Sequence, residues 1–300
     1  MSDHRLFLIS GFDCEPLQGK SPACGGPQTW HESEKQVLAL AEVFRTRDLI
    51  AACGFHLTPE AAKAQPQLYT SLADEGFFLG IQPNIPGFRY PSHDRDLGLY
   101  QPDEQREIIR QAKEDFEEAL GHSTTCYTAC CGSRSNATNA ILVEMGYREF
   151  HLPVPGRLLE GRPDRTTVGL FPFPHHLSER HRCLAGGLDL YGLPGTGDLT
   201  GKYKLSGGWA PADLRGEYPT TDETREMYRY IIDTNIELME LMDVPIKLIF
   251  TVGHNTRYCQ IENVEFHVDY VFEAAQKHGL EVVPTDPARL HAEADRIGAF

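Results

Sequence analysis

The chain has 300 residues, 41% hydrophobic and 24% charged, long enough to bury a full α/β core. Its formal net charge of −15 argues against a nucleic-acid or anionic-membrane surface, and no apolar run reaches the roughly 20 residues that span a bilayer. Eight cysteines without a CxxC pair exclude a disulfide scaffold and a zinc ribbon.

Met1-Ser2-Asp3-His4-Arg5 leads directly into an apolar run without a signal-peptide h-region, which predicts a cytoplasmic protein. Leu6-Phe7-Leu8-Ile9-Ser10-Gly11-Phe12 reads as a strand buried on both faces and ends in Asp13-Cys14-Glu15. Asp13 and Glu15 are two apart and point the same way on a continuing strand. After a Gly/Pro-rich stretch from Gln18 to Pro27, Val37, Leu40, Ala41 and Phe44 predict a helix from Ser33 to Arg47, with Ser33 as N-cap. Leu49 to Leu57 reads as a second strand, and Pro59 to Glu75 as helix broken near Pro66. Phe77 to Ile81 is a third strand, entering Gln82-Pro83-Asn84.

Pro83 to Tyr100 is too rich in Pro, Gly and Asp for regular structure, and a loop of that length is usually functional. Pro102 to Leu120 is the clearest helix, closed by Gly121. Thr124 to Cys131 predicts a fourth strand, followed by a helix from about Asn136 to Met145. Tyr147 to Leu152 and Thr167 to Phe173 are weaker strands. Residues from about Pro174 to Pro219 show no periodicity and read as a long excursion over the active face, within a single domain spanning 1–300. Thr220-x-x-Glu223 matches a capping box and opens a helix with Met227, Ile231, Thr234, Leu238 and Leu241 in register. Ile246 to Val252 is a buried strand ending in Gly253-His254-Asn255. A helix from about Glu262 to His278 and a short strand from Glu281 to Val283 follow.

Strands alternating with helices imply a parallel sheet covered outside by helices. Seven or eight short strands, with polar residues gathered just after them, favour a barrel with its site at the C-terminal rim.

Gly11-Phe12-Asp13-Cys14-Glu15 resembles the Thr-Phe-Asp-Asp-Gly motif that opens the polysaccharide deacetylases (carbohydrate esterase family 4). That family's Gly-His-Glu-x-Gly-x-His-x-x-x-His signature falls on Gly76 to Pro86. Its Arg-x-Pro motif falls near Thr128 to Cys131, and its last histidine on His254, after Leu248-Ile249-Phe250-Thr251-Val252. The resemblance covers nearly the whole chain and implies an α/β fold, a deformed (β/α)7-type barrel. Both metal-ligand histidines of the family are replaced, by Gln82 and Pro86, its second Asp by Cys14 and its Arg by Thr128. Of that machinery Asp13 and His254 keep their chemistry. Relatives that open small cyclic amides such as allantoin also lack the usual metal set, so hydrolysis without it stays within the resemblance.

Asp13 is the candidate general base, because a carboxylate partly withdrawn from water is a stronger base. His254 is the candidate general acid to the leaving group. Glu15, Gln82, Asn84, Cys131 and Trp209 are candidate substrate-binding residues. Cys14 lies between two carboxylates, which disfavour its thiolate. Cys130 and Cys131 precede a helix start, where an N-terminus would lower a thiol's pKa. His31, His56, His93, His175 and His176 have no metal-ligand spacing, and the His175-His176 pair reads as surface loop.

The expected function is hydrolysis of a C–N bond, an amide, N-acyl group or cyclic amide, in a small polar or sugar-like molecule. A non-catalytic binding or regulatory protein on a degenerate barrel is the alternative. A further alternative is a deacetylase dependent on a divalent metal such as zinc, its ligands rearranged among Asp13, Glu15, His93 and His254. The sequence shows no other cofactor motif, and a homo-oligomer is compatible with it.

Overall fold

Side chains alternate across the first strand, and that alternation decides which residues reach the site. The structure, a computed structural model, describes residues 4–17, 26–83, 95–204 and 210–299. Strand β1 (Arg5–Cys14) is followed by α1 (Trp30–Arg45), β2 (Cys53–Leu57), α2 (Pro59–Ala64), α3 (Pro66–Glu75) and β3 (Phe78–Ile81). Then come α4 (Pro102–Leu120), β4 (Cys126–Thr128), α5 (Thr138–Glu144), β5 (Glu149–Leu152), β6 (His175–His176) and β7 (Tyr191–Pro194). The chain closes with α6 (Asp222–Leu241), β8 (Leu248–His254), α7 (Ile261–His278), β9 (Glu281–Pro284) and α8 (Pro287–Ile297).

The strands form one curled sheet in the order β6-β7-β5-β4-β3-β2-β1-β8, all pairs parallel except β6 with β7. Strand β9 pairs with the first half of β1. Between β7 and β8 the curl is bridged by Thr196, whose N–H donates to the Phe250 carbonyl at 3.1 Å, and by Val252 N–H to the Leu214 carbonyl at 2.9 Å. This is a deformed (β/α) barrel.

Leu6, Leu8, Phe12 and Cys14 pack into the layer between sheet and helices, whereas Phe7 and Ile9 join Tyr191, Leu193, Leu248 and Phe250 in a second cluster. Full burial of such side chains contributes about 1.5–3 kcal/mol each. By the same alternation Asp13 falls on the interior side and Cys14 on the helix side. Asp13 faces the cleft at the strand ends, and Cys14 is sealed in the core. Burial is the main reason the Cys14 thiol is pushed far above its ordinary pKa, with the charges of Asp13 and Glu15 adding to it.

Several elements differ from the sequence expectation. Helix α1 starts earlier, capped by Thr29, whose Oγ1 accepts from Glu32 N–H at 3.1 Å. Ser33 is instead a buried residue of the first turn, and its hydroxyl accepts from Asn255 Nδ2 at 2.8 Å. Helix α6 is capped by Thr221 rather than Thr220 and buries Tyr228, Ile231, Ile232, Asn235, Ile236 and Met239, leaving Leu241 81% exposed. Asn235 is tolerated inside because its amide donates to the Gly197 carbonyl at 2.9 Å. Thr167 to Phe173 is turns and bends rather than strand. The stretch from Pro174 to Pro219 contains β6 and the interior strand β7, and His175 is buried rather than on a surface loop. Asp286 caps α8, a helix absent from the sequence expectation although Leu290 and Ala294 are buried at helical spacing.

Candidate active site

The interior positions at the strand ends converge on one cleft of about 330 Å³. Asp13, Glu15, Gln82, Cys131 and His254 all line it. Asn84, His93 and Trp209 lie outside the described residues.

Asp13 is held from two sides. His56 Nδ1 lies 3.1 Å from Asp13 Oδ1, and Gln82 Nε2 donates to Asp13 Oδ2 at 2.9 Å. Its side chain keeps 26% exposure towards the cleft. His56 has almost no freedom. A Cβ on Gly11 would stand 2.7 Å from its Cε1, and one on Gly80 only 2.5 Å from its Cδ2. Both positions need glycine because the imidazole lies flat against the backbone. Beneath it, His151 meets His56 edge to face with ring centroids 4.3 Å apart, and Cys126 Sγ lies 3.6 Å from His151 Nε2. Burial, reinforced by His56, pushes His151 well below its ordinary pKa and keeps it neutral.

His254 approaches Asp13 from the neighbouring strand, opposite it in register. One ligand atom each from Asp13, Glu15 and His254 lies within 4.8 Å of the others. His254 Nδ1 stands 2.8 Å from Glu217 Oε1. Burial opposes a charge on this imidazole, but Glu217, then Asp13 and Glu15, outweigh it and raise the pKa to about 10. His254 is therefore an imidazolium across the neutral range, not a group titrating near 6.5. Glu15 is positioned by its own backbone, whose N–H donates to Asn255 Oδ1 at 2.8 Å.

The far wall is cationic. Arg215 grips Asp213 with two hydrogen bonds of 2.6 Å each. Burial disfavours the Asp213 charge, yet Arg215 and Arg157 hold its carboxyl below the usual range. Arg157 also lines the cleft; its Nε is shielded from water and has no hydrogen-bond partner among the described residues.

Cys131 sits on the cleft with a left-handed backbone, φ 54 and ψ 12, uncommon for a non-glycine residue. Helix α5 begins at Thr138 rather than at about Asn136, so residues 132–137 separate Cys131 from it.

His56, His151, Glu217, Arg157 and the Asp213–Arg215 pair were missed from sequence. His56 and His151 had a usable signal: each sits within an apolar strand at a position that alternation turns inward. Glu217 and Arg215 carried none, since they lie in an aperiodic stretch.

This curled sheet, with its acid at the end of β1 and its histidine at the end of β8, is the fold of the polysaccharide deacetylases. A polysaccharide deacetylase structure from Mycobacterium smegmatis superposes with a TM-score of 0.59 at 13% identity, covering 100% of this chain and 93% of the other. PuuE allantoinase superposes with a TM-score of 0.59 at 12% identity, over 99% of this chain and 92% of the other. A polysaccharide deacetylase structure from Pseudomonas aeruginosa gives 0.58 at 13% identity, over 99% and 93%. No family model matches the sequence. No curated protein matches it either.

Deacetylases of this fold are metal-dependent, and the cleft residues fit such an ion poorly. Gln82 supplies an amide bonded to Asp13 where the resemblance expects an imidazole, and both Asp13 oxygens already accept hydrogen bonds. Deeper in the barrel, His56, Cys126 and His151 do gather three ligand atoms, all buried. Among the described residues no helix is long and apolar enough to cross a membrane.

Proposed function

We propose that the protein hydrolyses a non-peptide C–N bond, in an amide, N-acyl group or cyclic amide of a small polar molecule. The observation that carries this reading is Asp13 held at both oxygens yet open to the cleft, opposite a charged His254. In this mechanism Asp13 takes a proton from water as the oxygen attacks the carbonyl carbon. His254 then gives its proton to the departing nitrogen as the C–N bond breaks. Each of these transfers typically contributes about 10²–10⁴-fold. Arg157 offers donors to a carbonyl or carboxylate of the substrate. That matches a compact, oxygen-rich molecule such as a cyclic ureide or an N-acyl sugar better than an apolar one. The fold shared with an allantoinase makes cyclic amides the first class to try.

A binding role without catalysis is the second reading, favoured by Gln82 and Thr128 standing where the resemblance expects a metal-ligand histidine and an arginine. Screening amides, N-acetyl sugars and cyclic ureides for thermal stabilisation finds ligands under either reading, because binding stabilises whether or not it is followed by reaction. Mass analysis after incubation then separates them. Cleavage supports the enzyme, and recovery of every stabilising ligand intact overturns it.

A further inference from the structure

At the amino-terminal ends of β5 and β7, away from the cleft, three side chains from two segments converge, with a fourth, Asp189, beside one of them. His176 comes from β6, Asp189 from the approach to β7, and His291 and Asp295 from α8. His291 and Asp295 are four apart, so they leave one face of the helix.

The hydrogen bonds behind these groups fix which atoms face one another. His176 Nδ1 donates to the Leu188 carbonyl at 2.9 Å, leaving the lone pair on Nε2. His291 Nδ1 donates to Glu149 Oε1 at 3.1 Å, again leaving Nε2 as the electron-pair donor. Glu149 is itself fixed, its other oxygen accepting from Thr125 Oγ1 at 2.5 Å. Arg148 Nε holds Asp189 Oδ2 at 2.9 Å. The Tyr191 ring stacks on His291, 5.2 Å away and 6° from parallel.

Both imidazoles thus have an outer partner, the arrangement that orients metal ligands. His176 Nε2 lies 3.2 Å from Asp295 Oδ1, and His291 Nε2 lies 3.7 Å from Asp189 Oδ1 and 3.9 Å from Asp295 Oδ2. His291 is 5% exposed, and its Nε2 is buried with no hydrogen-bond partner among the described residues. The 3.7 and 3.9 Å gaps are too long for hydrogen bonds. They are close to the spacing of about 3.3–3.6 Å between neighbouring ligands of a tetrahedral ion bound at about 2.0–2.2 Å.

We propose that His176, His291 and Asp295 bind a divalent transition-metal ion of the zinc class, with Asp189 beside His291 at its edge. Two imidazoles with a carboxylate suit zinc better than calcium or magnesium. The ion would tie α8 to the edge strand, a stabilising role independent of the cleft. Asp189 and Asp295, 62% and 57% exposed, give it a route from solvent.

The test titrates the metal-stripped full-length protein with zinc chloride, following heat of binding and melting temperature. The expected result is about one equivalent bound per chain through these three ligands, with a raised melting temperature. His176→Gln and Asp295→Asn, both at partly exposed positions, should remove the binding. Glu149→Gln, which acts through His291, should weaken it by about 10–100-fold. Cys126→Ala and Glu15→Gln, at the other ligand clusters, should leave it intact. Wild-type protein that takes up no zinc would overturn the proposal. So would uptake unchanged in His176→Gln and Asp295→Asn, or lost only in Cys126→Ala or Glu15→Gln.

Discussion

His254 Nδ1 stands 2.8 Å from Glu217 Oε1, which makes the histidine of the cleft half of a charge pair. Burial alone would favour the neutral ring, and the surrounding carboxylates reverse that, raising its pKa to about 10. A folded pKa above the ordinary 6.5 means that this pairing stabilises fully below about pH 6.5 and loses its effect as the pH climbs towards 10. Glu217→Gln should move the imidazole titration down towards 6.5, seen by NMR, and shift the alkaline limb of activity down with it. An unmoved titration would show that Glu217 does not hold the charge.

His56 owes its place to the missing side chains of Gly11 and Gly80. Gly80→Ala puts a Cβ 2.5 Å from the His56 ring and 3.2 Å from Cys126 Sγ, with little room to yield. Overpacking of this kind costs about 1–3 kcal/mol, readable by denaturant titration. His56→Leu, close to histidine in volume, removes a hydrogen-bond partner of Asp13. It should lower kcat far more than it raises KM. A change confined to KM would argue that His56 serves binding instead of positioning the base.

Acid should destabilise the fold before the carboxylates of the surface are protonated. His267 is fully buried against Tyr228, ring centroids 4.1 Å apart, with neither ring nitrogen bonded among the described residues. Burial, only partly offset by Asp213, lowers its pKa to about 3. Below pH 6.5 the unfolded chain binds a proton that the folded chain refuses, so stability falls as pH drops from about 6.5 towards 3. The slope is about 1.4 kcal/mol per pH unit for such a group. His267→Leu should flatten that decline, measured by urea unfolding at several pH values. An unchanged slope would assign the acid loss elsewhere.

Arg157 sets stability against function. Burial disfavours its charge, and its Nε has no hydrogen-bond partner among the described residues. Replacing it by methionine should raise the melting temperature, because a desolvated polar group without a partner is costly. The same change should raise KM for a cleaved substrate by about 10-fold or more, the loss of a charge-assisted hydrogen bond. A variant that binds substrate normally would remove Arg157 from the recognition surface.

How far the sequence spoke depends on periodicity. Strand β1 was legible because Leu6 to Phe12 is continuous and apolar, and α4 because proline, an apolar stripe and Gly121 agree along its length. The α6 face was misjudged because its buried stripe includes Asn235, a polar residue made acceptable only by the distant Gly197 carbonyl. Strand β7 was hidden in a Gly/Pro-rich stretch, where Tyr191-Gly192-Leu193-Pro194 has β character only through pairing with β5. Asp13 and His254 were legible as polar ends of apolar strands. Their pairings with His56 and Glu217 were not, because contact across 43 and 37 residues is a tertiary fact.

Asp13-dependent hydrolysis is tested most directly by incubating a stabilising ligand with the protein in water enriched in heavy oxygen and weighing the products. The account predicts that wild type splits the C–N bond and places one heavy oxygen in the acyl product, while Asp13→Asn slows this by about 10²–10⁴-fold. Intact ligand after long incubation, or equal cleavage by Asp13→Asn, would contradict it.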